Sequence, residues 1–367
     1  MNPEPHLTGE AEARRLADSG RTAEQRGTPR DALSWYDRAL ESLETGTATG
    51  SDPLRADVLR WKGTVHRESG EHVQAELLYR QSSKVATSIG YSAGEAHAAN
   101  CLAAIAQRRG DMVEAEARYN EAALLAVAAG DDRLAGMIQQ NLGILASIRG
   151  DWDGALARYR MSLRTFEEMK DEEAMSWVLN NLGMLYTDQR RYDEADTAFS
   201  RGLALARARG DLLVEGALEV NRTEMLIAAQ RWAEAEEGCD RALRIAEPRG
   251  DLLRTAEALR LVARLDRHRC DYDRAAEVIT AARALTDDGE DALLGAELLN
   301  ELGEVRQAQG RTVEARDAWR EALGQFTRLG AVQAISRVEA RLAAVGPTPP
   351  KRFERETSLD SPEGPRA

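Results

Sequence analysis

Residues 171–210 read DEEAMSWVLNNLGMLYTDQRRYDEADTAFSRGLALARARG, and this stretch shows the unit from which the chain is built. An alanine equivalent to Ala195 returns every 40 residues between Ala75 and Ala315. An internal period of this length fixes the architecture ahead of any local motif. Because the apolar residues recur at helical spacing and no stretch reads as a strand, the period predicts an all-α array of helix-turn-helix repeats.

Seven residues of this unit define its pattern. They are Leu179, Leu182, Gly183, Tyr186, Ala195, Phe199 and Gly202. Their spacing is similar to the tetratricopeptide repeat pattern W-x2-L-G-x2-Y…A-x3-F, with leucine in place of tryptophan. The chain therefore resembles the tetratricopeptide repeat (TPR) family over residues 10–330. This resemblance implies a right-handed superhelical TPR solenoid.

The repeat is longer than usual, because a TPR unit has about 34 residues and this one has 40. Such lengthened units are similar to those of kinesin light chain, the Leu-Gly-Asn-repeat proteins, the Rap regulators and regulators of the AfsR type. HEAT and armadillo repeats also have periods near 40. The phase of the small residues favours TPR, because they stand where TPR helices approach most closely. These residues are Gly63, Ala103, Gly143, Gly183, Ala263 and Gly303.

Aligning the units on the alanine predicts about eight repeats and a C-terminal capping helix. The predicted solenoid covers residues 10–345 and is flanked by a disordered N-terminal segment and a disordered C-terminal tail. The segments are 1–9 (N-terminal segment), 10–44 (irregular first repeat), 45–53 (polar insertion), 54–330 (regular repeats), 331–345 (capping helix) and 346–367 (tail).

Five joints between helices carry a glycine followed by an aspartate. Glycine adopts the left-handed conformation that ends a helix, and aspartate accepts hydrogen bonds from the free N–H groups that begin the next one. The dipeptides are therefore predicted to be structural. They are Gly110-Asp111, Gly130-Asp131, Gly150-Asp151, Gly210-Asp211 and Gly250-Asp251.

Charge and composition limit the partners of the chain. It has 62 acidic and 49 basic residues, with a net charge of −13. Because this charge opposes a phosphate backbone, no nucleic acid is expected as a partner. No apolar stretch approaches the roughly 20 residues that a membrane helix needs, so no membrane is expected either. The first fifteen residues do not read as a secretory signal, and the three scattered cysteines favour the cytoplasm.

The first helix of each repeat has three stripes, and the third one predicts function. Two stripes are apolar and are expected to be core. The third contains Trp177, Asn181 and Met184 in one repeat and Met137, Asn141 and Ile144 in the preceding repeat. The TPR resemblance implies that this stripe lines a concave groove. The predicted partner-binding residues are His97, Asn100, Met137, Gln140, Asn141, Ile144, Trp177, Asn180, Asn181, Met184, Asn221, Glu224, Arg260 and Arg264.

The amides of this stripe have two interpretations. An amide side chain both donates and accepts, so a row of asparagines suits the peptide bonds of a bound segment. The same asparagines could instead bond between adjacent first helices and set the pitch of the superhelix. Trp177 is expected to anchor a partner, although local packing is the alternative. Acidic and basic residues along the stripe predict a protein or peptide partner with apolar and basic residues.

Catalytic chemistry is not indicated. No cofactor motif is present, no catalytic residue or metal ligand is assigned, and no cofactor is expected. His97 and Cys101 lie one helical turn apart and are the one nucleophile pair that the sequence suggests, but no orienting acid accompanies them. The acidic residues 287–291 lack the ligand spacing of a calcium loop and are interpreted as a turn.

The sequence thus predicts a non-catalytic protein- or peptide-binding TPR scaffold or adaptor. One alternative is a Rap-like or transcription-linked sensor whose superhelix tightens around a small signalling peptide. A second alternative is a self-assembling structural subunit. The tail around Phe353 is basic and aromatic, so it could occupy the groove when no partner is present.

Overall fold

A computed structural model describes residues 9–26, 28–45, 52–286 and 292–345. Over these ranges the chain is helical apart from short turns, and none of the described residues lies in a strand. The all-α prediction is confirmed. None of the helices in these ranges is long and apolar enough to cross a lipid bilayer.

The chain divides into two compact units, residues 1–245 (unit 1) and residues 246–367 (unit 2). The helices that begin in unit 1 are α1 (Gly9–Gln25), α2 (Pro29–Thr45), α3 (Asp52–Glu68), α4 (His72–Ile89), α5 (Ser92–Arg108), α6 (Met112–Ala129), α7 (Asp132–Ile148), α8 (Trp152–Met169), α9 (Glu172–Asp188), α10 (Tyr192–Arg209), α11 (Leu212–Ala228) and α12 (Trp232–Ala246). Odd-numbered helices are the first helices of the repeats, and even-numbered helices are the second helices.

Unit 2 continues the same period. After a 3-10 turn at Glu247–Arg249, its helices are α13 (Leu252–His268), α14 (Tyr272–Ala284), α15 (Ala292–Ala308), α16 (Thr312–Leu329) and α17 (Val332–Ala344). Helix α17 lies within the range predicted for the capping helix and packs against α16. Its Val338 is buried in a cluster with Trp319 and Phe326.

In unit 1 the helices form two layers. From α2 to α10, each second helix packs against its own first helix and against the first helix of the next repeat, as α6 does with α5 and α7. Neighbouring first helices also contact each other directly from α1 to α11. The first helices therefore form a continuous layer, and one side of that layer is left uncovered by the second helices.

A glycine beneath an aromatic ring sets the spacing between the two helices of a repeat. A Cβ atom placed on Gly183 of α9 would lie 2.6 Å from two ring carbons of Phe199 on α10. Gly143 of α7 stands in the same relation to Tyr159 of α8, also at 2.6 Å. Because both rings are nearly fully buried, no space remains for a larger residue. The close approach that the small-residue phase predicted is confirmed.

The joints between helices are built as the Gly-Asp dipeptides predict. Gly130 has a φ of 66° and ends α6 in the left-handed conformation, where a side chain would be strained. Asp131 then accepts a hydrogen bond from the backbone N–H of Leu134 at 2.9 Å. Lys170 takes the glycine position before α9 with a φ of 57°. All five predicted dipeptides have a positive-φ glycine followed by a capping aspartate.

Several expectations concern residues outside the described ranges. They are the disorder of the first residues and of the tail 346–367, most of the insertion 45–53, the acidic turn 287–291, and occupation of the groove by the tail. Helix α2 ends at Thr45 and helix α3 begins at Asp52, so residues 45, 52 and 53 of the predicted insertion are helical. The other expectations stay predictions.

We expect Gly183→Ala to lower the stability of the protein by about 1–3 kcal/mol, because the new methyl group collides with the buried ring of Phe199. Gly324→Ala is the matched control, since Gly324 is an exposed helical glycine with nothing within 4 Å of its Cβ position. Alanine should stabilise that helix by up to about 1 kcal/mol. Urea unfolding followed by circular dichroism measures both changes. Equal shifts in the two variants would contradict this packing.

Candidate functional site

The candidate site is the uncovered side of the first helices α7 and α9 in unit 1. Five large apolar side chains remain half-buried or exposed there. We call them the apolar patch: Met137, Ile144, Ile148, Trp177 and Met184. Ile148 and Met184 have exposed fractions of 50% and 47%. Large apolar side chains left at the surface along one side of two adjacent helices commonly mark an interaction site.

Helical geometry explains why these residues stay at the surface. On α9, Val178, Leu182 and Leu185 are at most 5% exposed and form the core. Trp177 and Met184 each precede a core residue by one position, which rotates their side chains by about 100° around the helix axis. One repeat earlier on α7, Met137 and Ile144 likewise precede the buried residues Ile138 and Leu145 by one position. The sequence therefore assigns core and surface correctly along this helix.

Asparagines join adjacent first helices in pairs 41 residues apart. The side-chain N–H of Asn141 on α7 donates to the Asn100 oxygen on α5 at 3.1 Å. The side-chain N–H of Asn221 on α11 donates to the Asn180 oxygen on α9 at 2.9 Å. Asn180 is only 5% exposed. These four amides bond between helices, as the second interpretation of the asparagine row requires.

We call each pair of amides that lie 41 residues apart on adjacent first helices a rung. The rung between α7 and α9 differs from the two just described. Gln140 on α7 and Asn181 on α9 are also 41 residues apart, yet neither side chain hydrogen-bonds to any described residue. Both are half-buried. Their amide groups therefore keep their donors and acceptors available beside the apolar patch.

Met184 links the apolar patch to one rung. Its sulfur lies 3.7 Å from the amide nitrogens of Asn180 and Asn221. These two weak contacts orient a side chain whose exposed fraction is 47%. The sulfur is thus held in place while the side chain remains accessible.

His97 lies on α5, at the position equivalent to Met137. Its Nε2 atom is 3.1 Å from an Asp131 carboxylate oxygen. Burial lowers the pKa of His97, Arg60 acts in the same direction, and Asp131 opposes them. Neutral imidazole bonded to a carboxylate makes this end of the stripe polar.

Cys101, the other member of the suggested nucleophile pair, is buried. Its exposed fraction is 8%, and burial raises the pKa of its thiol. A protonated thiol is a poor nucleophile. The bonded partner of His97 is Asp131 and not this thiol.

The remaining predicted residues lie beyond the apolar patch. Glu224 on α11 is half-buried at the position equivalent to Met184. In unit 2, Arg260 is 8% exposed, and its Nε atom lies 3.4 Å from a carboxylate oxygen of Glu297. Arg264 lies 3.5 Å from a carboxylate oxygen of Glu301. Both arginines form ion pairs between α13 and α15, and Arg260 offers little surface to a partner.

Glu301, which forms the ion pair with Arg264, is itself largely buried. Burial raises the pKa of its carboxyl group, and Arg264 opposes that change. Across the described ranges, no three histidine, cysteine or acidic side chains are grouped so that they could hold a metal ion. The candidate site is thus a surface of apolar and amide groups.

Two stretches of the chain match family models for the tetratricopeptide repeat, residues 94–168 and residues 176–208. This chain contains tetratricopeptide repeats. The matched stretches run from α5 to α10 and contain the apolar patch together with Gln140 and Asn181. A comparison of this TPR protein with curated proteins finds no match.

Solved TPR structures are similar to this TPR protein in fold. The apo quorum sensor NprR from B. thuringiensis has a TM-score of 0.65 at 13% identity, covering 88% of this chain and 89% of its own. A Rap protein complexed with competence and sporulation factor has a TM-score of 0.58 at 13% identity, covering 92% and 98%. The Rap conjugation gene regulator of plasmid pLS20, in complex with the Phr* peptide, has a TM-score of 0.56 at 14% identity, covering 87% and 80%. At these identities the likeness shows the fold alone.

We expect Asn221→Ala to destabilise this TPR protein by about 1–2 kcal/mol, because it leaves the buried Asn180 oxygen without its donor. Asn181→Ala is the matched control in the neighbouring rung. It removes no hydrogen bond to a described residue, so its effect should stay within about 0.5 kcal/mol. Chemical denaturation of both variants beside the wild type tests the difference. If Asn181→Ala were the more damaging change, the assignment of bonded and unbonded amides would be wrong.

Proposed function

We propose that unit 1 binds a peptide or a peptide segment of another protein along the first-helix side of α7 and α9. The observation that carries this proposal is the pair of unbonded amides, Gln140 and Asn181, next to the apolar patch. Apolar surface supplies affinity when a partner covers it. The unbonded amides can then exchange hydrogen bonds with the peptide groups of the partner's main chain.

The chemistry of these groups favours a peptide over other ligands. An amide side chain can pair with both groups of a peptide bond, whatever side chains the peptide carries. Trp177 offers a large half-buried ring as an anchor, and the methionines of the patch adapt to varied shapes. Selectivity then comes from the side chains that reach the patch.

Acidic residues border this surface. Asp188 follows Met184 by one turn of α9, and Glu224 takes the position of Met184 itself on α11. A partner with apolar residues flanked by basic ones would complement them, and the charges would chiefly speed encounter and set register. The net charge of −13 makes nucleic acid an unfavourable partner.

In this proposal the protein acts as a non-catalytic adaptor. The buried, protonated Cys101 and the carboxylate-bonded His97 support a structural role for both residues. The three free thiols fit a reducing compartment such as the cytoplasm.

A peptide sensor is the second candidate. It is favoured by the similar fold of the pLS20 Rap regulator, which was solved in complex with the Phr* peptide. A sensor needs two conformations that bind the peptide with different affinity. An adaptor would bind its segment without changing conformation, so a change in small-angle scattering on binding would distinguish the two functions.

Selection from a random peptide library on the immobilised protein tests the site. We expect selected peptides to bind the Trp177→Ala/Asn181→Ala variant at least about tenfold more weakly than the wild type, because the variant loses an anchor and a free amide. Fluorescence anisotropy with a labelled selected peptide measures the dissociation constants.

The control is a pair of methionines with similar exposure. Met184 is 47% exposed on the first-helix side, whereas Met161 is 52% exposed on the second helix α8. Met184→Ala should weaken peptide binding, and Met161→Ala should leave it unchanged. The reverse outcome would move the site to the second helices and refute the proposal.

A further inference from the structure

The second helix α6 has an outward stripe of uncharged residues. The stripe consists of Val113, Ala117, Asn120, Leu124 and Val127, and all five side chains are exposed. The exposed fractions of Val113, Leu124 and Val127 are 79%, 75% and 72%. This is more exposure than any residue of the apolar patch has. Water contact with three large aliphatic side chains along one helix is unfavourable.

Equivalent stripes on the neighbouring second helices are charged. Each of them carries at least two ionisable side chains, as expected of a surface that faces only solvent. They are Val73, Leu77, Arg80, Lys84 and Thr87 on α4; Asp153, Ala157, Arg160, Arg164 and Glu167 on α8; Asp193, Thr197, Ser200, Ala204 and Arg207 on α10; and Ala233, Glu237, Asp240, Arg244 and Glu247 on or just after α12. The uncharged stripe of α6 is therefore a departure that the repeat itself does not require.

The order of residues along the α6 stripe is nearly symmetric about Asn120. Val113 and Val127 lie seven residues before and after it, while Ala117 and Leu124 lie three before and four after. Successive residues of the stripe alternate between four and three positions apart. Contact residues have this spacing along helices that pack side by side. A stripe that reads alike in both directions can pair with a copy of itself that runs the opposite way.

We propose that α6 packs antiparallel against α6 of a second copy of this chain and forms a twofold homodimer. Val113 then faces Val127 of the second copy, and Asn120 faces its own equivalent at the symmetry axis. Ala117 lies within one residue of the level of Leu124 of the second copy, so a small residue accommodates a large one. A surface that pairs with itself about a twofold axis closes after two subunits and cannot grow into a filament.

The central asparagine fixes the register of this pair. Two facing amides can donate to and accept from each other, which satisfies both when water is excluded. A shift of one helical turn would place each Asn120 amide against an aliphatic side chain. The amide donors and acceptors would then have no hydrogen-bond partner. The antiparallel register with Asn120 at its centre is therefore preferred.

Charges beside the stripe are largely neutralised within the chain. The Glu116 carboxylate lies 2.5 Å from Arg149, and the Glu114 carboxylate lies 2.8 Å from Arg118. Two chains of net charge −13 repel each other, so a locally neutral contact surface favours their approach. Glu121 also flanks the stripe, and the Glu121 side chains of the two copies lie on the same side of the helix pair. Repulsion between these two carboxylates weakens the dimer, so Glu121→Gln should tighten it.

One helix stripe buries less area than the roughly 800 Å² per partner of a standard interface. The dimer is therefore expected to be weak, with a dissociation constant on the order of micromolar or higher. Sedimentation equilibrium of the full chain at rising concentration should show the mean mass increasing above 40.4 kDa. Leu124→Lys should keep the mass at that of the monomer, and Glu121→Gln should shift the rise to lower concentration.

Val313→Lys is the control for the charge change. Val313 occupies the position of Val113 in its own repeat and is 55% exposed on α16. This variant should associate as the wild type does, whereas Val113→Lys should not. A wild-type mass that stays at 40.4 kDa at every concentration would overturn the proposal.

Oxidative cross-linking tests the register. In a Cys270→Ser background, which removes the one exposed cysteine of the described chain, Asn120→Cys should form an intermolecular disulfide. Val113→Cys should not cross-link to itself, because the two copies of residue 113 lie about 21 Å apart along the helix axis. A mixture of Val113→Cys and Val127→Cys chains should cross-link. Efficient self-linking of Val113→Cys would show a parallel pair and refute the antiparallel arrangement.

Discussion

The contact between a helical glycine and the aromatic ring of the next helix is the constraint on which the rest of the structure depends. Where Gly183 lies under Phe199, the two helix backbones come close enough to exclude any side chain between them. This contact fixes the rotation of the first helix about its axis. Rotation in turn decides that Val178 is buried and that its neighbour Trp177 reaches the surface.

A second constraint acts between repeats. Amide pairs such as Asn180 and Asn221 tie one first helix to the next and hold the layer together. The pair formed by Gln140 and Asn181 lacks this bond, although it occupies the same place in the repeat. Between two bonded rungs the layer thus keeps one unbonded pair, and the apolar patch lies beside it. The proposed binding site exists because one rung is left open.

The two proposals use opposite sides of unit 1. Peptide binding uses the first helices α7 and α9, whereas self-association uses the outward stripe of the second helix α6. Self-association through α6 therefore leaves the peptide-binding surface accessible. A dimer would therefore carry two peptide-binding faces and could bind a partner with two copies of the recognised segment more tightly than a monomer does.

Much of this arrangement could be predicted from the sequence. The 40-residue period, the Gly-Asp joints and the core positions of α9 follow from local rules, because a helix cap or a 3.6-residue periodicity is contained in a few consecutive residues. The surface position of Trp177 and Met184 follows from the same periodicity. Their role as binding residues stays a prediction.

The division of the asparagines could not be predicted. Asn100, Asn141, Asn180 and Asn181 have the same side chain and similar places in the repeat, so their residue type does not distinguish bonded amides from free ones. The distinction depends on a distance between residues 41 positions apart on different helices. The burial of Arg260 in an ion pair with Glu297 has the same origin.

The sequence by itself therefore determined the repeat, its helices, their caps and the side of each helix that is buried, since these depend on neighbours within one or two turns. Only the tertiary structure decided which surface amides are already bonded, which arginines are enclosed, and where the chain divides into two compact units. Those features depend on how helices from different repeats meet, and no short stretch of sequence contains both partners of such a contact.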